Sequence, residues 1–199
     1  MLRHKKTKRM LRAMTLIEML VSIAIMALVF TATVSSVLSL YRVNSNGLNV
    51  TAQISSARRG LDSVLQDLRQ MAYGSNGAYP ISSMATSSIV FFSNIPNGVG
   101  SYLITYQLSG KTLTRSFVKP GTPATYTATP VTSSVATSLY NAAFTIPIFQ
   151  YFDANGSEIT DMTRTADVRS MSVVLQVFVP GTSAPFTLAA STTLRNLKN

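Results

Sequence analysis

From Met19 to Tyr41 the chain runs for 23 residues without a charged side chain. As an α-helix rising 1.5 Å per residue, that run is about 34 Å long, enough to cross the hydrocarbon core of a bilayer. A helix apolar all round must find lipid or protein on every side. Charge is distributed to match. Of 17 Lys and Arg, six precede the run: Arg3, Lys5, Lys6, Lys8, Arg9 and Arg12. A basic head before the span, with few basic residues just after it, predicts the N-terminus in the cytoplasm and the bulk of the chain outside. The formal charge of +10 is largely this head, since the remaining 11 basic side chains stand against 7 acids. It is therefore no argument for nucleic acid as a partner.

A secretory signal peptide also has a basic head and an apolar middle, with cleavage after Ala27 or Ala32 as the alternative here. Two features count against it. The apolar run exceeds the roughly 7–15 residues of a signal core, and a carboxylate, Glu18, stands at its start.

Beyond the run, Ile54, Ala57, Leu61, Leu65, Leu68 and Ala72 recur at spacings of three and four and predict an amphipathic helix. Arg58, Arg59, Asp62, Gln66, Asp67 and Arg69 are expected on its other faces. Asn44-Ser45-Asn46-Gly47 is poor helix material and predicts a bend or local unwinding. Tyr73-Gly74 reads as the helix stop, with glycine as a left-handed cap.

After Gly74 the pattern is that of strands. Ser88–Ser93, Tyr102–Leu108 and Thr112–Val118 read as strands, the last two joined as a hairpin through a turn at Ser109-Gly110-Lys111. Residues 119–138, dominated by Pro, Thr, Ser and Ala, read as an irregular surface loop. Phe144–Phe152 leads into a turn at Asp153-Ala154-Asn155-Gly156. Met171, Val173, Leu175, Val177 and Val179 alternate as a strand, with Phe186–Leu194 as its partner. The fold class is α+β. One long N-terminal helix, transmembrane in its first half and amphipathic in its second, is expected to pack on an antiparallel β-sheet.

Groups for chemistry are scarce. There is no cysteine, and the one histidine is His4 in the basic head. No nucleophile–base pair or metal cluster can be assembled, so an enzyme is not expected and no cofactor is implied. Asp153 to Glu158 lacks EF-hand spacing and reads as an Asx-type turn. Tyr102, Tyr106, Phe117, Phe149, Tyr151 and Phe178 sit at strand spacing, as core or sheet surface. Lys111, Arg115 and Lys119 cluster around the second strand of the first hairpin, too few to predict nucleic-acid binding.

Arg12-Ala13-Met14-Thr15-Leu16-Ile17-Glu18, followed by the apolar run, resembles the class III signal of type IV prepilins and type II secretion pseudopilins. In that family a basic leader ends in a small residue, a prepilin peptidase cuts after it, and the new N-terminal residue is methylated. A Thr-Leu-Ile-Glu run and an apolar helix come next. Thr15-Leu16-Ile17-Glu18 matches that run letter for letter. Ala13 stands where glycine is usual and Met14 where phenylalanine is usual.

The resemblance implies cleavage between Ala13 and Met14, methylation of Met14, and recognition by peptidase and assembly machinery through Thr15, Leu16, Ile17 and Glu18. It also implies a pilin-like lollipop, divided into a basic leader (1–13), a transmembrane and filament-core helix (14–41), its amphipathic continuation (42–74) and an exported β-rich head (75–199). Glu18 would pair with the amine freed on Met14 of a neighbouring subunit or of its own chain; read from the sequence alone, it could instead snorkel to water at the headgroups. Implied partners are the prepilin peptidase and N-methyltransferase, other pilin or pseudopilin subunits, an inner-membrane assembly platform and the lipid bilayer. Ser56-Ala57-Arg58-Arg59-Gly60-Leu61, Val64-Leu65-Gln66-Asp67-Leu68-Arg69 and Thr193-Leu194-Arg195-Asn196 are similar to the larger minor pilins and J-type minor pseudopilins. A chain anchored by the same helix but never cut, acting as a binding protein or adhesin, is the rival expectation; a DNA-uptake pilin is a weaker one.

Overall fold

A computed structural model of the chain describes residues 15–95, 98–143, 145–178 and 184–194. Helix α1 spans Leu16–Arg69. Eight strands follow: β1 (Ile81–Met84), β2 (Ser88–Asn94), β3 (Ser101–Ser109), β4 (Thr112–Val118), β5 (Val131–Ala136), β6 (Phe149–Phe152), β7 (Ser170–Val177) and β8 (Phe186–Thr193). The fold is α+β, with a long N-terminal helix and antiparallel sheets. Two compact units divide the chain, residues 1–47 and 48–199.

The helix is unbroken through Asn44-Ser45-Asn46-Gly47, where the sequence predicts a bend. Low propensity there amounts to about 1 kcal/mol for the glycine and less for each neighbour, too little to interrupt a ladder of hydrogen bonds already nucleated on both sides. The helix ends at Arg69, earlier than Tyr73-Gly74, and Gly74 is not among the left-handed glycines. Sheet pairing ends it. Ala72 N–H donates to Phe92 O at 3.0 Å, and Asn94 N–H donates to Gln70 O at 3.0 Å, so β2 takes the backbone groups that another helical turn would need.

Within residues 48–199 the strands form two sheets rather than one. The five-stranded sheet has the order β1-β2-β3-β4-β5 and the three-stranded sheet β6-β7-β8, all neighbours antiparallel. The expected hairpin is β3–β4, with Gly110 at φ +59° supplying its tight turn. Residues 131–136, expected to lie in a loop, are strand β5. Its Val-Thr-Ser-Ser-Val-Ala sequence has four exposed residues in a row and no alternation, so nothing in its pattern marks it as a strand. It is held by pairing with β4. The rest of that loop is fixed by Tyr126. Its ring packs on Phe92 with centroids 5.0 Å apart, while its hydroxyl accepts Ser75 N–H at 3.0 Å and donates to Ser101 O at 2.7 Å.

One hydrophobic core joins both sheets to the helix, and includes Leu61, Val64, Leu65 and Leu68 of α1 with Phe91, Ile104 and Tyr106. The helix comes closest to β5 at Gly60. A Cβ on Gly60 would lie 2.6 Å from Ala136 Cβ and 3.0 Å from Val135 O, so only glycine allows this approach.

Candidate functional site

At the head of α1, Thr15 N–H donates to Glu18 Oε2 at 2.9 Å, and Thr15 Oγ1 donates to the same oxygen at 3.0 Å. Glu18 N–H points back to Thr15 Oγ1 at 3.4 Å. This is a capping box: the side chain before the first helical residue meets the N–H three positions on, and that residue's carboxylate meets the first N–H in return. The four-residue signature Thr-x-x-Glu was legible in the sequence, but reading Glu18 as an assembly residue or as a carboxylate snorkelling to water overlooked its local role. The same bonds favour a negative charge where the helix dipole is positive. Glu18 Oε1 takes no hydrogen bond among the described residues, so one oxygen is left for a further donor. Ala13 and Met14, the cleavage and methylation positions, lie outside the described residues.

Residues 16–48 of α1 are exposed throughout. Among them are Leu16 at 84%, Met26 at 75% and Phe30 at 68% exposure, an apolar surface unsuited to water. The helix is long and apolar enough to cross a membrane. Its hydroxyls do not interrupt that character. Ser22, Thr31, Thr33 and Ser36 donate to the carbonyls of Glu18, Leu28, Val29 and Ala32 at 2.7 to 3.0 Å. These four hydroxyls are satisfied within their own helix, as suits lipid.

A second polar constellation joins the helix to the five-stranded sheet. Asp67, expected on a solvent face, is buried. Its Oδ2 accepts from Tyr106 OH at 2.6 Å and from Arg115 Nε at 2.6 Å, and its Oδ1 accepts from Arg115 Nη2 at 3.2 Å. Ser63 Oγ lies 3.1 Å from Tyr106 OH, and Ser93 Oγ donates to Asp67 O at 2.8 Å. Burial opposes the charge on Arg115, but the hydrogen bond and charge of Asp67 outweigh it and hold the guanidinium above its usual pKa. Burial, followed by the negative charge of Asp67, pushes the Tyr106 phenol up. Arg115 is therefore a helix-to-sheet tie rather than one of three surface cations. Lys111 is occupied too, donating to Tyr140 OH at 3.0 Å with its ammonium 4.2 Å from the ring centroid. Of Lys111, Arg115 and Lys119, the two lysines are exposed and only Arg115 is drawn inward.

The 153–156 turn is of Asx type. Asp153 Oδ1 accepts Asn155 N–H at 2.8 Å and Ser157 N–H at 2.9 Å, and Gly156 has φ +78°. No group of three or more His, Cys, Asp or Glu side chains that could hold a metal comes together among the described residues.

Residues 8–34 match the family described as the prokaryotic N-terminal methylation motif. The segment is similar to that motif. It covers the end of the basic head, the Thr-Leu-Ile-Glu run and the first two-thirds of the apolar span, and places the capping box within it. No curated protein matches the chain. Among solved structures, a chain of the GspK-GspI-GspJ complex from the type 2 secretion system of enterotoxigenic Escherichia coli is similar over 72% of this chain and 97% of its own. Identity is 14% and the TM-score 0.45, a likeness too slight to bear on function.

Proposed function

We propose that the chain is a structural subunit, a minor pilin or pseudopilin, of a type IV pilus or type II secretion pseudopilus. The observation that carries this reading is the methylation-motif match at residues 8–34, whose described part from Leu16 on is helix with an apolar surface exposed as far as Leu48. In this reading residues 1–13 are a basic leader that holds the cut site at the cytoplasmic face. A prepilin peptidase cleaves after Ala13 and the new amine of Met14 is methylated. Residues 14–41 cross the inner membrane, the helix continues to Arg69, and the β-rich head that follows lies outside. Assembly moves the helix from lipid into a filament of companion subunits, with the platform proteins of the inner membrane as further partners.

The geometry sharpens what Glu18 does. Its Oε2 closes the helix on Thr15, and Oε1 is available to the amine that cleavage creates one residue before Thr15. The carboxylate thus has two separable roles, a cap and a charge partner. Glu18→Gln retains an acceptor for Thr15 N–H but no charge, whereas Glu18→Ala removes both. Both variants are expected to insert in the membrane and both to enter filaments poorly. Incorporation of Glu18→Gln at the wild-type level would leave only the capping role. The reading as a whole is tested at the mature N-terminus: mass spectrometry of chain from cells with active peptidase is expected to find methylated Met14. An intact Met1 there would point instead to the uncut, anchored binding protein.

A further inference from the structure

Four strand edges bound the two sheets, and three are guarded. β1 has four residues, follows Pro80, and carries a register shift between Ile81 and Ser83. β5 follows Pro130 and is irregular where it meets Leu113 and Thr114. β6 has four residues, and Ile159 N–H covers its edge by donating to Tyr151 O at 2.8 Å. Short length, prolines, bulges and cover are the usual means of stopping an edge from pairing with another chain. β8 shares only one of them, a proline (Pro185) just before its first residue, and is neither short nor bulged nor covered by another strand among the described residues. It runs for eight residues in unbroken register with β7, and Phe-Thr-Leu-Ala-Ala-Ser-Thr-Thr contains no charge and no proline.

The hydrogen-bond parity says which groups are free. Leu194 N–H donates to Arg169 O at 2.9 Å, one step beyond the Ser170–Thr193 pair. In an antiparallel ladder bonded and non-bonded pairs alternate. Thr192, Ala190 and Leu188 therefore bond to β7, while Thr187, Ala189, Ser191 and Thr193 turn N–H and C=O to the free edge. β7 bears this out from its other side, where Val174 N–H donates to Ile148 O and Gln176 N–H to Asn141 Oδ1, both at 2.8 Å. The side chains of Thr187, Ala189, Ser191 and Thr193 are all exposed. Among the described residues no strand but β7 pairs with β8.

At the Thr193 end of this edge, Arg69 lines a cleft of about 370 Å³ with Ser191, Thr192 and Thr193. Arg69 forms no ion pair among the described residues. A guanidinium beside hydroxyls is suited to a carboxylate.

We propose that the free edge of β8 takes an extended segment of a partner polypeptide as an added antiparallel strand. That segment is uncharged along the edge and carries an acidic residue at its N-terminal end, against Arg69. The main chain supplies the attraction and Arg69 the register, as in other strand-addition interfaces. The proposal rests on the filament reading only for who provides the strand in the cell; its test does not.

The test uses full-length protein in detergent and a capped synthetic peptide, Asp-Thr-Val-Thr-Val-Thr-Val, compared with one that has Lys in place of Asp. Amide hydrogen exchange is read residue by residue. Without peptide, Leu188, Ala190 and Thr192 are expected to be protected and Thr187, Ala189, Ser191 and Thr193 to exchange freely. Saturating acidic peptide is expected to slow those four by about tenfold or more. The Lys peptide is expected to bind about fivefold more weakly, the scale of one exposed ion pair, and Arg69→Glu to reverse the order. Ala189→Pro deletes an outward N–H without touching the β7 ladder, and is expected to keep the tyrosine circular dichroism while losing the peptide. The proposal is overturned if the four amides are already protected without peptide. It is equally overturned if they stay unprotected at saturating acidic peptide, or if Ala189→Pro binds undiminished.

Discussion

Replacing Asp67 by alanine tests the tie between helix and sheet most directly. The carboxylate receives three hydrogen bonds, two from Arg115 and one from Tyr106. The paired side chains are only 16% and 10% exposed, so screening by water is slight. Truncation leaves a guanidinium and a phenol facing an apolar methyl. Removing one partner of such a buried pair costs about 3–5 kcal/mol, most of it from the charge left behind. With Arg115 retaining some access to water, the lower end, about 3 kcal/mol, is the expected loss, a large share of a domain stability of roughly 5–15 kcal/mol. Tyr106→Phe, which removes the bonds to Asp67 and Ser63 and leaves the ion pair, is expected to cost about 1–2 kcal/mol. Urea unfolding of the full chain in detergent, followed by tyrosine near-ultraviolet circular dichroism, measures both. The double variant Asp67→Leu with Arg115→Leu is expected to recover most of the Asp67→Ala loss, because neither charge then remains buried alone. A loss below about 1 kcal/mol for Asp67→Ala would show that Arg115 simply turns to solvent, and the reasoning about burial would be wrong.

Gly60→Ala gains about 1 kcal/mol of helix propensity but sets a methyl group 2.6 Å from Ala136 Cβ. Overpacking of this kind costs about 1–3 kcal/mol, so a net loss is expected in the same urea assay, and larger side chains are expected to detach the helix from β5. Alkali is expected to destabilise the chain. Burial raises the phenols of Tyr106 and Tyr151 above their ordinary value, so each contributes stability that is intact below a pH of about 10 and lost as the pH rises beyond it. Urea midpoints should hold steady up to about pH 9 and fall above pH 10, and Tyr106→Phe should make that fall shallower.

What the sequence made legible was what local pattern controls. The stripe through Ala57, Leu61, Leu65 and Leu68 is the buried face of α1, and the β3–β4 and β7–β8 pairs follow from alternation and turn residues. Strand β5 was illegible because an edge of serine and threonine carries no alternation; only β4 makes it a strand. The helix end was misplaced because β2 competes for the backbone of Gln70 and Ala72, a contact no local propensity encodes. Asp67 was assigned to solvent because a carboxylate on a helix normally belongs there. Its partner Arg115 lies 48 residues away, and spacing does not reveal such a pair. At the N-terminal junction the Thr-x-x-Glu signature was present in the letters, yet its capping role was hidden by the stronger resemblance to a processing signal.

The four hydroxyls turned back onto their own helix have a consequence for movement. Ser22, Thr31, Thr33 and Ser36 each hold a carbonyl one turn earlier, so none needs a new partner when the surroundings change. A helix that relied on its neighbours for these bonds would be trapped wherever they were first made. At these four positions this one meets lipid and protein on nearly equal terms. In the filament reading proposed above, exchange between the two would be governed by shape and by the charge at Glu18, reversible in itself and given direction only by what holds the first turn.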